Sequence, residues 1–171
     1  MEKSYNTIRE LLRTDQEDIC LFKAGKISAD EHTDRNLFTS NSFMDQMRKD
    51  GFCYKNSASQ DIYKAFVTLS LHVSLSNMKW IFDTYIEKTT PYEVAPEDKA
   101  LFIDKILILS GKPQIYGTQY KIDSNKKISF LPIEDEVNLD KRRSEAGLNH
   151  IETYMKIIGD HESLASKHFI L

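Results

Sequence analysis

Glycine and proline are scarce in this chain, with six and four among 171 residues. Loop-rich and all-β proteins use more of both, because tight turns draw on glycine for positive φ and on proline for a fixed one. Cysteine is scarcer still. Cys20 and Cys53 lie too far apart for CxxC spacing and have no histidine-rich cluster near them, which excludes a disulfide framework and the common zinc patterns. Both read as small buried hydrophobes in a reducing compartment.

An excess of charge of one sign is also missing. The 23 Lys and Arg against 26 Asp and Glu leave a net charge of −3, and the cations are scattered, so duplex nucleic acid is not expected as a partner. No apolar run approaches membrane-spanning length. Residues 1–24 carry Glu2, Glu10, Asp15, Glu17 and Asp18, which a cleaved secretory signal would not. The expectation is a cytoplasmic protein, or one exported without a cleaved signal peptide, with no membrane partner.

What is present is helical periodicity. Ile8, Leu11, Leu12, Ile19 and Phe22 predict a helix over residues 4–23, and Leu37, Phe38, Met44 and Met47 a second from Asp30 to Lys49. A third carries Ile62, Phe66, Leu69 and Val73, a short aromatic one covers Asn77 to Ile86, and a fifth ends at Leu109. After Thr118 the period changes to two, with Tyr120 and Ile122 before Asp123-Ser124-Asn125-Lys126 and Ile128 and Phe130 after it, a hairpin pattern. Asn138 to Ile158 reads as a last long helix with Gly147 an internal weak point. The fold class expected is mainly α: a compact single-domain helical bundle of about six helices over residues 1–171, one small β-hairpin around 118–131, and a loosely ordered tail over 160–171.

The run Gly111-Lys112-Pro113-Gln114-Ile115-Tyr116-Gly117-Thr118-Gln119 is the most informative stretch. Gly111 and Pro113 stop the preceding helix, Gly117 permits a sharp turn or a close approach, and Gln114, Tyr116 and Gln119 both donate and accept hydrogen bonds. It reads as one wall of a polar site. Several helices also carry one ionisable residue in register with their apolar positions: Asp15 between Leu11/Leu12 and Ile19, Asp34 before Leu37/Phe38, His72 after Leu69, and Asp104 between Leu101 and Leu107/Ile108. A carboxylate facing a core costs several kcal/mol unless it is paired or hydrogen-bonded. Each alone also fits a stripe edge, or an internal pair with Arg35, Arg142 or Arg143. Together with the Gln/Tyr run they suggest a site. Arg142 and Arg143 diverge by about 100° on a helix, so at most one readily faces a common centre.

These residues carry a resemblance. Asp15-Gln16, Asp34-Arg35, His72-Val73, Asp104-Lys105-Ile106, the nine-residue run, Pro132 to Asp135, and Arg142-Arg143 to Gly147-Leu148 follow the pattern of a family of mostly bacterial proteins of unknown function, which the chain resembles from residue 13 to about 155. The resemblance implies that the polar residues share a common centre. It brings no activity with it.

Serine-hydrolase elbows, phosphate-binding glycine loops and HExxH are absent. Carboxylates, one histidine, arginine, amides and a tyrosine suit a sugar-phosphate and attack by water. The expected function is therefore that of a hydrolase, of ADP-ribosylhydrolase or phosphoesterase type, cleaving a glycosidic or phosphoester bond of a nucleotide-like or ADP-ribosyl ligand that is free or attached to a protein. Asp15, Asp34, His72 and Asp104 are the acid–base candidates, and Gln114, Tyr116, Gly117, Gln119, Arg142 and Arg143 the binding wall. No cofactor is expected; two of the aspartates could hold a divalent metal, although no compact motif such as DxD supports one. The alternatives are a noncatalytic ligand- or protein-binding module and an effector- or immunity-type interaction protein.

Overall fold

The computed structural model describes residues 2–123 and 127–168. The chain separates into two compact units, Met1–Ala95 and Pro96–Leu171. It is mainly helical, with one two-stranded antiparallel sheet.

In the first unit α1 (Glu2–Lys23) packs against α2 (Ala29–Asp50) and α3 (Gln60–Ser70). The short α4 (Leu75–Ile81) continues into a π-helical turn over Phe82–Ile86. Ser28 caps α2 by accepting from Glu31 N at 3.1 Å. Asp30 and Glu31 in its first turn and Arg48 and Lys49 in its last match the helix dipole. Ile8, Phe43, Met47, Ile62, Met78 and Ile81 are fully enclosed and form the centre of this unit's core.

The expected stripe of α2 is corrected in its first half. Its buried face is Thr39, Phe43, Met44 and Met47, whereas Leu37 and Phe38 are 57% and 70% exposed. At 100° per residue Phe38 stands about 140° and Asp34 about 180° around the helix from Phe43, so Asp34 faces outward and is exposed.

The second unit begins with α5 (Pro96–Leu109). Pro96 suits the first helical position, where its missing N–H costs nothing, and Glu97 and Asp98 follow in the first turn. Strands β1 (Tyr120–Ile122) and β2 (Ile128–Phe130) pair Tyr120 with Phe130, Lys121 with Ser129 and Ile122 with Ile128. Asp123 N donates to Lys127 O at 3.1 Å, and Lys127 N donates to the Asp123 carboxylate at 2.9 Å. The predicted turn residues Ser124, Asn125 and Lys126 lie outside the described residues.

The single last helix expected from Asn138 is instead two: α6 (Leu139–Glu145) and α7 (Ile151–His168). Gly147 has φ +73°. Its N–H donates to Ser144 O at 3.0 Å while Leu148 N donates to Arg143 O at 2.8 Å, the pair of bonds that closes a helix with a left-handed residue. Backbone geometry outweighs the apolar periodicity here. Helix α7 runs through Gly159, and residues 169–171, the end of the expected tail, lie outside the described residues.

A Cβ at Gly147 would meet only Pro96, at an ordinary 3.7 Å, so Gly147→Ala is expected to cost about 1 kcal/mol through the positive φ alone. Urea unfolding of the variant checks this, with a lowered midpoint and an unchanged slope as the expected result.

Candidate functional site

Asp104 organises the Gly111–Gln119 loop. It sits on α5 with no exposure to solvent, and its carboxylate accepts from Ile115 N at 2.8 Å, Tyr116 N at 3.0 Å, Thr118 N at 2.9 Å and Thr118 Oγ1 at 2.9 Å. A carboxylate offers about four lone-pair directions, and these four donors occupy them. The burial cost of the charge is met by fixed backbone dipoles. Gly117 makes this wrap possible, with φ +69° and a virtual Cβ only 3.1 Å from Ile151 Cδ1.

Gln114 ties the same loop to the hairpin. Its fully buried amide donates to Gln119 O and Leu131 O, each at 2.8 Å, and accepts from Gln119 N at 2.8 Å. Its main chain adds bonds to Pro132 O and from Glu134 N, and it forms a parallel bridge with Ile133. A side chain so engaged cannot also read a ligand's hydroxyls. Of the residues of the Gln/Tyr wall, Gln114 thus uses its amide as a cross-link, and Gly117 packs beside Ile151, Ile133 and Leu139.

The two arginines hold the loop from its other side. Arg142 donates to Ile115 O at 3.2 Å and Asp135 O at 2.6 Å and lies 3.4 Å from the Asp135 carboxylate. Hydrogen bonds from Asn138 hold Asp135 below the usual carboxylate range. Arg143 is buried, donates to Tyr116 O at 2.5 Å and Asn149 O at 2.6 Å, and lies 4.9 Å from the Tyr154 ring centre. Desolvation lowers its pKa, and burial raises that of Tyr154. Arg143, Thr118, Asn149 and Tyr154 border a cavity of about 50 Å³, room for a few waters. Of the predicted wall, Tyr116 and Gln119 are both partly exposed. Gln119 Nε2 donates to Thr118 Oγ1 at 3.2 Å, and the Tyr116 phenol has no hydrogen bond among the described residues.

In the first unit the structure brings Asp15 and His72 together. His72, just beyond α3, places Nδ1 2.9 Å from Asp15 Oδ2 and 3.0 Å from Oδ1. Asp15 is buried and also accepts from Gln16 Nε2 at 2.8 Å. An ionised carboxylate only accepts, so Nδ1 is the nitrogen that donates to Asp15, and Nε2 is the one left to meet other groups. The imidazole is partly exposed. Asp34, exposed on α2, does not join this pair, and Asp104 is enclosed within the second unit by its own loop.

A second pair escaped the periodicity reading. Asp18, one turn beyond Asp15 and also buried, accepts from His32 Nδ1 at 2.9 Å. His32 stacks on Phe22 with ring centres 4.4 Å apart. The i, i+3 spacing of Asp15 and Asp18 was the available signal. Among the described residues no three His, Cys, Asp or Glu side chains are grouped so as to hold a metal ion, and no helix is long and apolar enough to cross a membrane.

Residues 88–167 match the model of a family of unknown function, DUF6624. The matched stretch contains Asp104, the Gly111–Gln119 loop and both arginines, and leaves out Asp15, Asp34 and His72. No curated protein matches the chain, and no solved structure does.

Gln114→Ala is expected to cost about 2–3 kcal/mol, since it strips Leu131 O and Gln119 N of their partner and removes one of the two bonds at Gln119 O, which keeps the bond from Leu131 N, whereas Gln119→Ala costs well under about 1 kcal/mol. Parallel denaturant titrations of the two variants check the contrast. Equal losses would show that the amide network is not centred on Gln114.

Proposed function

We propose that the protein is a hydrolase acting on a nucleotide-like or ADP-ribosyl substrate, with His72 as the proton acceptor and Asp15 as the group that orients it. The observation that supports this reading is the bond from His72 Nδ1 to a buried aspartate, which turns Nε2 of a partly exposed ring toward proton transfer. Asp15 fixes the tautomer and would stabilise the imidazolium formed when water is deprotonated.

Room for an aromatic base exists in the same unit. Tyr5, Gly51, Phe52, Cys53 and Phe66 border a cavity of about 310 Å³, within the range of small-molecule sites. Tyr5 precedes Asp15 by ten residues on α1, about 15 Å along the axis, so a ligand touching both would be extended. Burial pushes the Cys53 thiol above its ordinary pKa, which argues against a nucleophilic role there.

One observation favours a second reading, a noncatalytic binding module. Asp104, Gln114, Arg142 and Arg143 spend their polar groups on the protein's own main chain, leaving the second unit to act through its surface. Turnover separates the two. On a substrate found by screening nucleotides and ADP-ribose conjugates, His72→Ala is expected to lower kcat by about 10²–10⁴-fold, with Asp15→Asn giving a smaller loss and little change in KM. Unaltered turnover in His72→Ala would sink the catalytic reading, as would a ligand that stabilises the protein thermally without being consumed.

A further inference from the structure

Helix α1 presents two buried carboxylates one turn apart, Asp15 and Asp18, and each holds the Nδ1 of a partly exposed imidazole at 2.9 Å. Residues at i and i+3 have Cβ atoms about 5–6 Å apart, so the two carboxylates are neighbours on α1, one reaching His72 beyond α3 and the other His32 on α2. Asp18 has a further peculiarity. Its Oδ1 is buried without a hydrogen-bond partner among the described residues, with Arg35 Nε 3.7 Å away. The Arg35 guanidinium is half-exposed and bonded to Glu31 at 2.7 Å, leaving further N–H groups for an anion.

We propose that Asp18 and His32 form the second proton-transfer pair of the site that contains His72, and that its substrate is a phosphate monoester. This inference rests on the reading of His72 as a proton acceptor and narrows its substrate class. Glycoside cleavage needs two carboxyl groups free to act on opposite faces of a sugar, and here Asp15 and Asp18 are each committed to an imidazole. Two imidazoles and a guanidinium instead suit transfer of a phosphoryl group to water. The water oxygen bonds to phosphorus as the bond from phosphorus to the ester oxygen breaks. The neutral ring of one pair takes the water's proton at Nε2, and the protonated ring of the other gives its proton to the departing oxygen. Alcohol and inorganic phosphate leave, and exchange with solvent resets the two rings. Arg35 meets the phosphate charge as a planar donor.

The test is an NMR titration of the full chain with adenosine monophosphate, following the imidazole C2 protons, assigned with His32→Gln and His72→Gln. Adenosine serves as the control. Both rings are expected to shift along one saturation curve with the nucleotide and neither with adenosine, and Arg35→Ala should weaken nucleotide binding about tenfold, as expected for loss of a charge-assisted contact. If His72 alone moves, the second pair is overturned while the proposed function stands. If neither moves, the phosphate-monoester inference is overturned, and the proposed function is decided by the turnover of His72→Ala. If adenosine moves both rings as far as the nucleotide does, the phosphate assignment is overturned.

Discussion

The second unit depends on one buried charge. Asp104 has no contact with solvent, yet it stays compatible with the interior because Ile115, Tyr116 and Thr118 turn their backbone N–H groups toward it. Backbone donors are fixed in place by the chain itself, so they compensate a carboxylate without the entropy loss that long cationic side chains incur. The loop's shape follows from this demand. Gly117 takes the conformation that lets consecutive amides converge, and Arg142 and Arg143 bind the carbonyls of Ile115 and Tyr116 that the wrap leaves behind. Ile115 and Tyr116 thus have their N–H groups held by a carboxylate and their carbonyls by guanidinium groups.

The first unit uses buried aspartates differently. Asp15 and Asp18 meet imidazoles, whose other nitrogen bonds to no group among the described residues, in place of a saturating set of amides. Asp104 is spent on structure, while Asp15 and Asp18 each pass an interaction outward through a ring. That contrast underlies the proposal that proton transfer belongs to the first unit, while the second unit's polar cluster serves as framework.

Helix existence was legible because apolar spacing reports it directly: α3 buries all of Ile62, Phe66 and Leu69, and α1 and α5 form where their stripes predict although Phe22 is exposed and Leu101, Leu107 and Ile108 are only half-buried, while the hairpin follows from its change of period. The stripe of α2 misled because Leu37 and Phe38 are apolar yet exposed, and periodicity weighs them as it weighs Phe43. Gly147 shows the limit for helix ends, since a left-handed closure needs a backbone angle that composition does not encode. For the site, the residue types were legible and their targets were not. Gln114 was singled out for its polarity, but a sequence does not tell whether an amide spends its bonds on a ligand or on Leu131 and Gln119. His32 lies near the start of α2 with no stripe to mark it, so only the fold pairs it with Asp18.

Because Asp104 grips Ile115 and Tyr116 by their amide nitrogens, the clamp is blind to what those residues carry beyond Cα. Any non-proline residue supplies the same N–H. The side chains at these two positions are therefore free to diversify without unseating the loop, whereas Thr118, which contributes its hydroxyl, and Gly117, which contributes its φ, are not. Within nine residues the loop thus sets backbone-held positions, indifferent to their side chains for the clamp, beside positions whose side chain or φ the clamp itself requires.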